Sequence, residues 1–161
     1  MMKRFILFAV FVAAPWAAAS VQAQTCADVS GKFNEMILPA DAAPNDPAGR
    51  VLGNVDGTLA GATTAFIASL APASNGGLNV TTNNAFATLE GNLLFTRGSA
   101  VWTFISNGFY QVDLTLTVSG GSGKYANATG TIKVLGIGNN VGPGTGQFIQ
   151  EYRGQVCTPN R

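Results

Sequence analysis

Residues 115–135 read TLTVSGGSGKYANATGTIKVL, and whether the glycine cluster at their centre cradles a phosphate or turns a strand decides the fold. A phosphate-binding loop needs a glycine five residues ahead of the Gly-Lys pair and a Ser or Thr after the lysine for magnesium. It also needs a helix whose first amides face the anion. Val118 and Tyr125 occupy those two positions. Downstream, Thr131, Ile132, Lys133 and Val134 are alternating or β-branched, so the chain resumes as a strand and offers no helix dipole. The cluster is read as a turn: Gly120, Gly121 and Gly123 give positive-φ freedom where a strand ends, and Gly130 restarts the next one.

Working outward, residues 110–119 are the clearest strand. Tyr110, Val112, Leu114, Leu116 and Val118 share one face, and Gln111, Asp113, Thr115, Thr117 and Ser119 share the other. Asn107-Gly108 is a favourable hairpin turn, and before it residues 100–105 place Ala100, Trp102 and Phe104 together. Further strand candidates are 32–38, a long 51–70 segment, 85–96, 130–136 and 147–156, with loops at 39–47 and 72–77. The pattern is all-β.

The N-terminus carries Lys3 and Arg4, an apolar run from Phe5 to Val12, and an alanine-rich stretch ending Val21-Gln22-Ala23. Residues 1–23 are expected to be a secretory signal peptide cut before Gln24, with a cut at Ala19 as the alternative, leaving one domain over 24–161. The apolar run is shorter than the roughly 20 residues of a membrane helix, and Cys26 follows Thr25 rather than the small residue a lipid anchor requires. The expectation is a secreted or periplasmic protein without stable membrane insertion. Without Lys3 and Arg4, seven basic residues face eight acidic ones. The basic residues are scattered singly, so no nucleic-acid partner is expected.

Cys26 and Cys157 lie near the two ends of that domain. In an oxidising compartment one disulfide is the default reading, and two separate buried thiols are the alternative.

The motif GGSGKYANATGTIKV resembles the signature of the allene oxide cyclase and dirigent-type barrel family. Gly120, Gly121, Gly123, Tyr125, Ala128 and Gly130 match it. The glycine-rich 49–61 stretch and Tyr152-Arg153-Gly154 are similar to the family's secreted bacterial members, and the resemblance spans about residues 28–157. It implies a single antiparallel β-barrel of about eight strands with a largely apolar lumen; a β-sandwich is the alternative. Closure would also remove exposed strand edges. A disulfide joining the chain ends requires both to reach one rim, hence an even number of strands in an up-and-down barrel. The 51–70 segment is therefore expected to break near Gly57 or Gly61, where Asp56-Gly57 is a turn pair.

The chain has no histidine, which excludes Ser-His-Asp triads, Cys-His pairs and His-ligated zinc. With the cysteines bonded, thiolate chemistry goes too, and no metal or cofactor is expected. Glu35 is the candidate catalytic residue: it shares an alternation face with Phe33 and Ile37, where apolar surroundings would raise its pKa. The resemblance adds that the family's cyclases carry a catalytic glutamate on the first strand. Phe33, Trp102, Phe104 and Tyr110 are candidate ligand contacts or core packing. Asp113 is read as solvated, and Asp56, Glu90 and Glu151 carry no local signature. Asn79-Val80-Thr81 and Asn127-Ala128-Thr129 are glycosylation sequons. Three functions follow as expectations: binding of a small hydrophobic molecule without turnover, cofactor-independent cyclase or dirigent-like stereochemical control, and a structural or partner-binding barrel.

Overall fold

In-out alternation, interrupted by bulges such as that between Ile67 and Ser69, builds the described strands, and the register of neighbouring strands sets the depth of each inward side chain. The computed structural model describes residues 23–38, 49–74, 76–106, 108–142 and 145–160. Residues 1–22 of the expected signal peptide 1–23, the 39–47 loop, and Asn107 of the hairpin turn lie outside the described residues, as do Asn75 of the 72–77 loop and Arg161.

Eight strands follow in order: β1 (Gln24–Leu38), β2 (Arg50–Val55), β3 (Gly61–Pro72), β4 (Leu78–Thr88), β5 (Leu93–Ser106), β6 (Phe109–Gly121), β7 (Thr129–Gly142) and β8 (Thr145–Pro159). Each pairs antiparallel with the next, and β8 returns to β1, closing the barrel. Cys26 faces Cys157 in that last pairing and the two are disulfide-bonded. No helix among the described residues is long and apolar enough to cross a membrane.

The 51–70 segment does break, at a 3₁₀ turn over Gly57–Leu59. Gly57 (φ 86°) and Gly61 (φ 152°) flank it in conformations that disfavour a side chain. The 85–96 segment is a correction: it is not one strand but the end of β4, a turn at 89–92, and the start of β5. Thr88 and Leu94 both point inward, so the two-residue period passes through the turn unbroken and conceals it. Leu89, 84% exposed, sits at its tip.

The two ends of the barrel differ. At the disulfide end, Leu59 from the first 3₁₀ turn and Tyr125 from a second one, Gly123–Tyr125, drop into the lumen. There they join Val29, Phe33, Val55, Phe86, Leu94, Leu116, Ile132, Tyr152 and Val156 in a packed core. Tyr152 Oη accepts the Leu59 N–H (2.9 Å) and donates to the Asp56 carbonyl (2.9 Å), pinning this plug. The glycine cluster thus caps a barrel: Gly120, Gly123 and Gly130 all have positive φ, at 118°, 58° and 141°. Gly121 instead packs against the Leu93 carbonyl, where no Cβ fits. A second, smaller cluster of Val51, Ala65, Ile67, Val80 and Ala100 lines the other half. Toward that end Trp102 and Tyr110 are only partly buried.

Candidate functional site

The inward phase of β1 is Val29, Gly31, Phe33, Glu35 and Ile37, which carries Glu35 into the lumen just above the packed core. Its register partners are Gly53 on β2 and Phe148 on β8. A Cβ on Gly53 would lie 2.7 Å from Glu35 Cγ, so the glycine makes the space that the glutamate fills. The carboxyl group is withdrawn from water, and burial raises its pKa from 4.5 to about 7, against a smaller opposing effect of a hydrogen bond from Thr63. Near neutral pH the group exists both as an acid that donates a hydrogen bond and as a carboxylate that accepts one.

A belt of polar side chains crosses the otherwise largely apolar lumen at this level. Asn84 Nδ2 donates to Thr82 Oγ1 and Thr96 Oγ1, each at 3.1 Å. Gln150, on β8, is 4% exposed, and its Oε1 has no hydrogen-bond partner among the described residues. Its side chain lies over Gly136 of β7, where a Cβ would come within 2.7 Å of Gln150 Cγ. Glu35, Thr82, Asn84, Trp102, Phe148 and Gln150 share a cavity of about 30 Å³, completed by aliphatic side chains including Val51 and Leu114. Drug-sized pockets run to roughly 300–1,000 Å³, so this space admits a small end group and not a whole drug-sized ligand.

Above the cavity stands an aromatic group. Trp102 packs against Phe148 (centroids 5.2 Å apart) and Tyr110 (6.2 Å), and Phe104 meets Tyr110 edge-on (5.6 Å). Of the four aromatic residues singled out from sequence, Trp102 lines the cavity, Tyr110 buttresses it, and Phe104 is 52% exposed at the rim. Phe33 lies elsewhere, stacked on Tyr152 and Phe86 inside the packed core. Sequence reading missed Phe148, Gln150 and Asn84. A signal for Gln150 was present in Phe148-Ile149-Gln150-Glu151-Tyr152, where a glutamine occupies the phase of two aromatic residues.

The other carboxylates among the described residues do not join Glu35. Asp56, Glu90, Asp113 and Glu151 are exposed, and Glu90 pairs with Lys124 at the capped end. Asn79 and Asn127 of the two sequons are exposed, Asn127 at a φ of 58°. Another concavity lies outside the barrel: a groove of about 730 Å³ lined by Ile105, Phe109, Leu135, Ile137 and Ile149 and flanked by Lys32 and Glu151.

No known family's sequence profile matches the chain, and no curated protein is detectably similar to it in sequence. Among solved structures the chain is similar to that of a pterocarpan synthase dirigent protein, with 17% identity and a TM-score of 0.36, over 93% of this chain and 100% of that one. That likeness is too distant to assign chemistry to this barrel.

Proposed function

We propose that this is an exported barrel that binds a small, predominantly apolar molecule end-on, the leading group entering the cavity at Glu35 and the body resting among Trp102, Tyr110 and Phe104. The observation that carries this reading is the cavity beneath an aromatic group, in a barrel whose other end is plugged. Apolar walls supply the affinity and a few convergent polar groups fix orientation, as in small-molecule sites generally. Trp16 and Trp102 are the two tryptophans, and Trp16 falls in the segment removed on export, so in the mature chain from Gln24 the indole fluorescence reports this site alone. Titration with ethylbenzene should shift that emission saturably and protect the fold against heat. An unchanged spectrum and melting temperature at the solubility limit would remove the proposal.

A second reading, cyclase-like or dirigent-like stereochemical control of a reactive substrate, is supported by Glu35. A carboxyl group titrating near 7 is suited to proton transfer at neutral pH. Product analysis with a short-lived epoxide or radical substrate tests it: the product ratio should change with the protein and revert with Glu35→Gln. A third, partner binding, is supported by the outer apolar groove. It predicts an oligomer or complex that a charged substitution at Ile149 dissolves, read by sedimentation.

A further inference from the structure

We infer that the leading group of the bound molecule is a neutral hydroxyl, which donates its proton to Gln150 Oε1 and receives a hydrogen bond within the same belt. This deepens the binding reading above and rests on it. A buried acceptor without a partner is rare, because leaving one unsatisfied forfeits its hydration. Gln150 is among the few buried polar side chains, lines the cavity shared with Glu35 and Asn84, and has an Oε1 without a partner among the described residues. The other amide in the belt is already engaged, since Asn84 Nδ2 is committed to Thr82 and Thr96. The buried unpartnered atom among the described cavity-lining residues is therefore an acceptor, which calls for a donor.

The size and charge of the cavity narrow the donor. At about 30 Å³, far below the roughly 300 Å³ of a drug-sized site, the cavity suits a small end group such as a hydroxyl. None of the cavity-lining residues is Lys or Arg, so a carboxylate or phosphate end would be buried beside Glu35 without a counter-ion. Glu35, held largely as the neutral acid below about pH 7, is positioned as the complementary donor to the hydroxyl oxygen. Gly136 keeps Gln150 in place, and Gly53 does the same for Glu35.

The test compares benzyl alcohol, benzyl methyl ether, ethylbenzene and phenylacetate at pH 6, with binding read from Trp102 emission in the mature chain from Gln24 and checked by calorimetry. Benzyl alcohol should bind about ten-fold tighter than ethylbenzene, the equivalent of one satisfied buried acceptor. The ether, which accepts but does not donate, should lose that advantage, and phenylacetate should bind weakest. Gln150→Met, similar in length but without the acceptor, should bring benzyl alcohol and ethylbenzene to equal affinity. If Gln150→Met fails to fold, the four-ligand series on the unsubstituted chain still decides. Equal affinities for alcohol and hydrocarbon, with both binding, would overturn the hydroxyl assignment and leave Gln150 served by trapped water, with the binding reading intact. Binding of none of the four would overturn both.

Discussion

Replacing Glu35 by glutamine isolates the energetic consequence of placing a carboxyl group in the lumen. Burial raises its pKa from 4.5 to about 7 in the folded chain. The folded state thus holds the proton more tightly than the unfolded state does. Stability from this group is fully present below pH 4.5 and is lost as pH climbs from 4.5 to 7, because ionisation becomes easier on unfolding. At about 1.4 kcal/mol per pH unit the loss amounts to about 3 kcal/mol. The substituted amide occupies nearly the same volume and does not titrate. The other carboxylates are common to both proteins, and no side chain lining the cavity beside Glu35 is titratable. The difference in urea unfolding free energy, Glu35→Gln minus unsubstituted, should therefore be small at pH 4, grow through pH 5 and 6, and level off about 3 kcal/mol in favour of the variant above pH 7. Loss of the Thr63 contact sets a constant offset and leaves this slope unchanged. A difference flat within about 0.5 kcal/mol from pH 4 to 8 would show that the carboxyl group is solvated and that the lumen reading is wrong.

Tyr152→Phe should destabilise the barrel by about 1–3 kcal/mol in urea unfolding, because the fully buried Leu59 N–H loses its acceptor; no change would mean that the plug does not depend on this bond. Gly136→Ala should cut folded yield or lower the melting temperature, since its Cβ would meet Gln150 and the Ile149 carbonyl; an unperturbed variant would refute the close packing of β7 on β8. Gly123→Val should lower the melting temperature through backbone strain, since Gly123 sits at a φ of 58°; a parental melting temperature would contradict that turn geometry. Reducing the Cys26–Cys157 bond, which spans 131 residues, removes up to about 5 kcal/mol by loop-closure entropy. Urea midpoints with and without reductant measure it, and identical midpoints would contradict that account.

The direction of side chains was legible in the sequence, and their depth was not. Tyr110, Val112, Leu114, Leu116 and Val118 do face inward and Asp113 does face solvent, because one strand with one wet face writes its orientation into a period of two. Glu35 was placed on the inward phase by the same argument. Phe33 was placed on the correct face too, but its height relative to the cavity depends on pairing with β2 and β8, whose sequences lie far away. The break in 85–96 was invisible because its turn preserves inward parity. The break in 51–70 preserves it as well, and was anticipated only because a bond between Cys26 and Cys157 demands an even strand count. The polar belt stayed hidden for a different reason. Asn84, Thr96 and Gln150 come from three strands, and each by itself looks like a lapse in alternation; they make sense only once Gly53 and Gly136 are seen opposite Glu35 and Gln150.

The bond between facing residues of β1 and β8 makes the chain from Cys26 to Cys157 a covalent ring. A protease that cleaves one connecting loop opens the ring without dividing it: the product has new termini and the same mass plus one water. Every strand of the nicked molecule keeps both of its neighbours, so such damage releases no fragment and exposes no unpaired edge on which other chains could aggregate. Separation requires a second cut or a reductant. The same ring means that the order of strands around the barrel has no privileged starting point, and a chain rearranged to begin at β6 and end at β5, joined through β8 and β1, encodes the same closed sheet.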